Sequence, residues 1–117
     1  TPVMKKQGGG TFINISTFAA FEPSLSFPIS SVMRTALASF SKLYAQEYGA
    51  DNIRMNNILP GYIESYPVTE EIKSQIPLAR AGKVHEIGET AVFLASDGAA
   101  YITGENIKVD GGITKNI

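Results

Sequence analysis

The chain has 117 residues, 44% of them apolar, and a formal net charge of −1. That is enough for the core of one domain, and too evenly balanced for a protein that holds nucleic acid or a membrane surface by charge. No cysteine occurs, which excludes disulfides, cysteine-ligated zinc and thiol chemistry and permits a reducing cytoplasm, the expected location. A single histidine and scattered carboxylates argue against a metal site. No apolar run reaches the about 20 residues of a membrane helix. No signal-peptide pattern opens the chain, since Lys5, Lys6 and Gly8-Gly9-Gly10 follow at once.

Residues 1–7 read as the last turn of a helix, with Lys5 and Lys6 at its negative end and Gly8 to Gly10 stopping it. Thr11 to Ser16 then reads as a buried strand bounded by glycine. A loop with Glu22, Pro23, Ser24 and Ser26 follows. The spacing of Met33, Ala36, Leu37, Phe40, Leu43, Tyr44 and Glu47 predicts a helix over 30–48, its apolar stripe broken only by Glu47. Pro28 marks its start and Gly49 its end.

Ile53 to Leu59 predicts a second strand, closed by Pro60-Gly61. Residues 68–76 predict a short helix, and 84–96 another with Ile87, Ala91, Leu94 and Ala95 facing inward. Asn106 to Val109 predicts a third strand, ended by Asp110-Gly111-Gly112, which reads as a strand-ending turn in preference to a metal or phosphate loop. Strand, helix, strand, helices, strand is the grammar of an α/β fold with a parallel, doubly wound (Rossmann-type) sheet. Three strands make a thin sheet, and the first has an open edge unless something pairs with it. Both that edge and the opening on a helix end point to an absent N-terminal half.

Five segments, in order, resemble the short-chain dehydrogenase/reductase family. They are Phe12-Ile13-Asn14-Ile15-Ser16-Thr17; Asn52 through Ile63, containing Asn56 and Pro60-Gly61; Ile76 through Gly82 followed by Glu86; Phe93-Leu94-Ala95-Ser96-Asp97; and Tyr101 through Gly112. The resemblance covers essentially the whole chain. It implies that residues 1–117 form the C-terminal segment of a single domain of that type. The glycine-rich turn that holds the cofactor pyrophosphate would lie in the half before it. Gly8-Gly9-Gly10 precedes a strand instead of opening a helix, so it reads as a tight turn.

For the complete domain the resemblance implies an oxidoreductase that moves hydride between NAD or NADP and a small-molecule carbonyl or alcohol. In the family a serine orients the carbonyl, a tyrosine transfers the proton, and a lysine four residues later supports the tyrosine and holds the nicotinamide ribose. In the gap-free register these positions fall on Thr17, Ser30 and Arg34. A rival register places Phe27 and Ser31 at the last two, but it needs a three-residue shift within a helix. Thr17 keeps a hydroxyl. Ser30 is a far weaker acid than a phenol, whose pKa is about 10. Arg34 keeps the charge but does not release a proton, and it could hold ribose hydroxyls or a substrate carboxylate.

On the cofactor side the resemblance carries over to Pro60, Gly61 and Ile63, in the turn that approaches the nicotinamide carboxamide, and to Ser65, at a hydroxyl position near the pyrophosphate. Gly61 reads equally as a turn glycine with positive φ. Tyr62 and Glu22 are expected on the substrate side, where Tyr62 is either a substitute proton donor or an apolar wall. Glu22 reads otherwise as a solvated loop carboxylate, and His85 as a surface residue at a helix start. Through its C-terminal segment the family also implies a homo-oligomer. Three functions compete: a segment of an NAD(P)-dependent oxidoreductase; a non-catalytic cofactor-binding or assembly subunit of the same fold, favoured by Ser30 and Arg34; and a free-standing structural protein, disfavoured by the open edge. The isolated segment is expected to be inactive.

Overall fold

The computed structural model describes residues 1–117. The chain opens on a short helix, α1 (Pro2–Gln7), with Lys5 and Lys6 in its last turn. Gly8 ends it with φ 87°, in the left-handed region that side chains disfavour, and returns its N–H to the carbonyl of Lys5. The expected helix end is present.

Three strands follow in parallel: β1 (Gly10–Ile15), β2 (Ile53–Pro60) and β3 (Asn106–Val109), in the order β1-β2-β3. Between them lie α2 (Pro28–Tyr48), α3 (Glu70–Gln75) and α4 (Val84–Ala95). Short 3-10 turns at Phe18–Ala20, Gly49–Asp51 and Asp97–Ala99 join the elements. The α/β architecture is as expected, and the outer edge of β1 is unpaired. That edge position explains a departure from expectation. Residues 11–14 of β1 are only half-buried and Ile15 is 51% exposed, so the strand is not the buried one its composition suggests.

Alternation along the strands puts Ile13, Asn56, Ile58 and Ile107 on one face, and Phe12, Asn14, Met55, Asn57, Leu59 and Asn106 on the other. α4 covers the first face. Leu94 packs on Ile58 and Ala99, with Ile13, Ile87, Ala91 and Ile107 around them. Ala95, expected inward, is exposed, because one further residue turns it about 100° away from Leu94.

α2 covers the second face, and not with its apolar stripe. Met33, Phe40 and Leu43 are 63%, 53% and 62% exposed, while the buried positions are Ser31, Ala38, Ser41 and Ala45. Small side chains let the helix lie close to the strands. Of the stripe, Leu37 is half-buried and Tyr44 packs on the sheet, edge-on to Phe12 with ring centroids 5.5 Å apart. Beneath α2 runs a row of amides at a single register level. Asn14 Nδ2 donates to Asn57 Oδ1 at 2.9 Å, and Asn57 Nδ2 donates to Asn106 Oδ1 at 2.8 Å. Ser41 of α2 donates to the same Asn57 oxygen at 3.0 Å. On the other face the fully buried Asn56 donates to the Ile102 carbonyl at 2.9 Å and accepts the Glu105 N–H at 3.0 Å. Each buried amide is therefore satisfied on both its oxygen and its nitrogen. A slip of one residue between strands would break the whole row.

Candidate active site

The carboxyl ends of β1 and β2 gather the residues of interest. Ser16 closes β1, its N–H bonded to the Ile58 carbonyl at 2.8 Å, and its buried hydroxyl has no partner. Thr17 follows in extended conformation (φ −158°), and its side chain makes no cap to the Phe18–Ala20 turn. Thr35 ties that turn to α2 through its hydroxyl, which donates to the carbonyls of Ala20 and Ser31.

α2 begins at Pro28, whose fixed φ suits the first turn. Ser31 stabilises this entry. It donates to the Phe27 carbonyl at 2.8 Å and accepts the Ser24 N–H at 3.2 Å. Its hydroxyl is thus spent on structure, and Phe27 stands half-exposed at the N-cap. Ser30 and Arg34 lie one turn apart on one helix face. Arg34 Nη1 reaches the Ile15 carbonyl at 3.3 Å, which seats the guanidinium on the carboxyl end of β1 beside Ser16 and Thr17.

At the end of β2, Gly61 N donates to the Val109 carbonyl at 3.0 Å. Its φ is not positive, so the turn-glycine reading fails. A Cβ there would lie 2.7 Å from the backbone Cα of Asp110, and this close approach is what requires glycine. Ile63 forms a parallel bridge to Gly82, in which the Tyr62 carbonyl and the Glu64 N–H are both bonded to Gly82. The Ile63 N–H is left uncommitted. Ser65 is exposed in the loop that follows.

Tyr62 stacks at a tilt on Phe18, with centroids 5.5 Å apart. Both line an open cleft of about 700 Å³, together with Glu22, Gln75, Ile113 and Lys115. Thr17, Ser30 and Arg34 do not line it; they stand at the seam of β1 and α2. Glu22 is a half-buried loop carboxylate that is also bonded across the chain. Its Oε2 accepts the Lys115 N–H at 2.8 Å and the Asn116 side-chain amide at 3.5 Å. The sequence gives no local signal for Lys115 or Ile113 as cleft residues, since they return from the far end of the chain.

Nearby, Arg80 grips Glu86 with two bonds of 2.8 and 2.7 Å, and the Lys83 N–H adds a third at 2.7 Å. The Arg80 bonds, then the Lys83 N–H, hold the Glu86 carboxyl down at about 2. Burial pushes the Asp110 carboxyl up, but the Thr114 hydroxyl and the N–H groups of Gly112 and Thr114 outweigh it and leave it below the usual range. Both carboxylates shape loops and make no acid available near neutral pH. His85 is exposed at the start of α4, and no cluster of His, Asp and Glu is arranged to hold a metal. No helix is long and apolar enough to cross a membrane.

A family model described as enoyl-(acyl carrier protein) reductase matches residues 1–114. The chain is 37% identical to 2-dehydro-3-deoxy-D-gluconate 5-dehydrogenase of Bacillus subtilis, over 93% of this chain and 46% of that protein. It is 34% identical to a 3-oxoacyl-(acyl-carrier-protein) reductase of Thermotoga maritima, over 96% of this chain and 48% of that one. A solved structure of 7 alpha-hydroxysteroid dehydrogenase, complexed with NADH and 7-oxo glycochenodeoxycholic acid, superposes with a TM-score of 0.86 at 30% identity, over 95% of this chain and 47% of that structure. The chain thus spans about half the length of the relatives it matches. Fold, strand order and sequence agree: the chain belongs to the short-chain dehydrogenase/reductase family.

Proposed function

We propose that residues 1–117 supply the C-terminal, substrate-side segment of an NAD(P)-dependent oxidoreductase acting on a small carbonyl or alcohol. An N-terminal half of the same domain pairs with β1 and completes the cofactor site. The observation that carries this reading is the seating of Arg34 on the Ile15 carbonyl, one turn after Ser30, at the strand ends where α/β folds bind ligands. The residues present fit the nicotinamide side of NAD or NADP. Arg34 spends a single hydrogen bond on protein and keeps donors for ribose hydroxyls, and the Ile63 N–H is free for a carboxamide. Ser65 stands in the loop after that turn. The cofactor, when bound, supplies or takes the hydride.

Within this reading the Thr17 hydroxyl orients the carbonyl oxygen. Ser30 stands where a proton must arrive, and its aliphatic hydroxyl is a poor acid, so water relays the proton and turnover is slow. A positioned general acid is worth about 10²–10⁴-fold in rate. Tyr62, packed on Phe18, serves as an apolar wall for the substrate. The same proposal places the protein in the cytoplasm as a homo-oligomer. The outward stripe of Met33, Phe40 and Leu43 supports self-association.

The test is single-turnover oxidation of NADH and NADPH by the full-length protein with a panel of carbonyls, parent against the Ser30→Tyr/Arg34→Lys double variant. Slow turnover that rises by about 10²-fold or more in the variant is the expected result. A second reading, a non-catalytic cofactor-binding subunit, rests on the same two side chains, because Arg34 does not release a proton. Micromolar cofactor binding with no turnover in parent or variant would establish it instead. The isolated 117-residue segment is expected to show neither turnover nor micromolar cofactor binding.

A further inference from the structure

The loop after β1 and the segment after β3 meet over the cleft, 93 positions apart along the chain. They are joined by hydrogen bonds. Glu22 Oε2 accepts the Lys115 N–H at 2.8 Å. The Asn116 side-chain amide donates to the Phe21 carbonyl at 3.1 Å, and Lys108 Nζ donates to the Asn116 carbonyl at 2.7 Å. At its near end the same segment is clamped by Asp110, whose carboxylate accepts the Thr114 hydroxyl at 2.6 Å and the Gly112 N–H at 2.9 Å. Ile113, between these two clamps, and Lys115, at the second, line the cleft together with Phe18 and Tyr62.

We propose that Glu22 is a positioning residue, a latch that holds the 113–117 segment across the substrate cleft, and that it does not touch substrate itself. Its carboxylate is already turned to a backbone N–H, the geometry of a charge-assisted bond. Releasing it loosens the Ile113–Lys115 wall, which Asn116 and Asp110 still tie, while leaving Thr17, Ser30 and Arg34 in place, because none of them bonds to either clamp. The effect falls on how firmly substrate is held and spares the chemical step. The inference rests on the proposed oxidoreductase reading for its functional part only; the latch itself is a property of the fold.

The experiment uses the full-length protein with Glu22→Ala, Glu22→Gln and Asn116→Ala, followed by hydrogen exchange and by steady-state kinetics on whichever carbonyl the parent reduces. Loss of the carboxylate should speed exchange at 113–117 and 18–27 by about 10- to 100-fold, the factor carried by one charge-assisted hydrogen bond. Exchange across β2 should be unchanged. The glutamine variant keeps a neutral acceptor oxygen and should recover part of the protection, leaving it between the parent and Glu22→Ala. Asn116→Ala added to Glu22→Ala removes the remaining bond to the Phe21 carbonyl and should speed exchange at 113–117 further. KM should rise several-fold with kcat within about twofold, the pattern of lost substrate binding without loss at the chemical step. Unchanged exchange at 113–117 in Glu22→Ala overturns the latch, whether or not the protein turns over. A fall in kcat in both variants at constant KM overturns it too, by making Glu22 a catalytic contact. A protein with no turnover at all counts against the oxidoreductase reading and leaves exchange to judge the latch.

Discussion

Replacing Asn57 by aspartate exchanges one NH2 for an oxygen in the middle of the amide row. Asn57 is fully buried, and its nitrogen donates to Asn106 Oδ1 at 2.8 Å. In the variant an ionised carboxyl loses that donor and sets two oxygens against each other, and none of the four ion pairs of the chain reaches the row. A protonated carboxyl restores the donor. Burial without a cation raises the folded-state pKa of the introduced group above the about 3.9 of an unfolded aspartate, and the Asn14 amide and Ser41 hydroxyl that donate to Oδ1 offset only part of this. Below about pH 3.9 the group is neutral in both states and the loss against the parent is small. As pH rises towards the folded-state pKa, only the unfolded chain sheds its proton, and stability falls. A rise of about 3 units, common for a fully buried carboxyl, gives a loss of about 1 kcal/mol at pH 4.5 and about 4 kcal/mol at pH 7.5. In a domain of about 150–250 residues that is a Tm deficit of about 2–4 °C growing to about 8–16 °C. Thermal unfolding of full-length parent and variant by circular dichroism at the two pH values measures it, with Asn57→Ala as a control whose deficit is the same at both. An aspartate deficit that does not change between pH 4.5 and 7.5 would refute the picture of a dry, cation-free row.

Three further perturbations have definite signs. Glu86 is held at about 2 by Arg80 and the Lys83 N–H, against an ordinary 4.5. Glu86→Gln should therefore lower the urea midpoint at pH 7, with the gap to the parent closing as pH falls from about 4.5 towards 2, and a gap that stays constant would count against the ion pair. Ala79 sits at φ 54°, in the left-handed region. Ala79→Gly should raise stability by up to about 1 kcal/mol, strain relief being partly offset by the freedom of glycine in the unfolded chain; a lower Tm would show the strain to be absent. Gly61→Ala drives a Cβ to 2.7 Å from the Asp110 backbone and should cost about 1–3 kcal/mol in thermal unfolding. An unchanged Tm there would mean that the two strand ends separate freely.

The strands were legible because each is a short β-rich run bounded by glycine or proline: residues 11–16 against Gly10–Ile15, 53–59 against Ile53–Pro60, and 106–109 against Asn106–Val109. α2 was legible as a helix, and its buried face was not. Periodicity finds the largest apolar side chains, whereas close approach to a sheet selects Ser31, Ala38, Ser41 and Ala45. At the seam of β1 and α2, the spacing of Ser30 and Arg34 was enough to place them on one helix face, which local geometry dictates. Glu22 could be placed near the cleft, but its bond to Lys115 arises from a tertiary meeting that no local pattern encodes. The amide row is illegible in the sequence for the same reason. Asn14, Asn57 and Asn106 come level only through strand register.

The inverted dress of α2 has a mechanical consequence. Because the buried side chains of α2 are Ser31, Ala38, Ser41 and Ala45, the helix lies close over β2, with Tyr44 resting on Phe12 of β1, and that seat fixes where Arg34 meets the Ile15 carbonyl. The large side chains on the outer surface bear none of this load. Met33 and Leu43, which face outward, could change in size and shape without moving the guanidinium. Enlarging Ala38 or Ala45 by a single methylene would lift the helix and carry Arg34 with it. The two sides of one helix thus do different work: the inner one is a fixed spacer that sets the position of Arg34, and the outer one is free of that constraint.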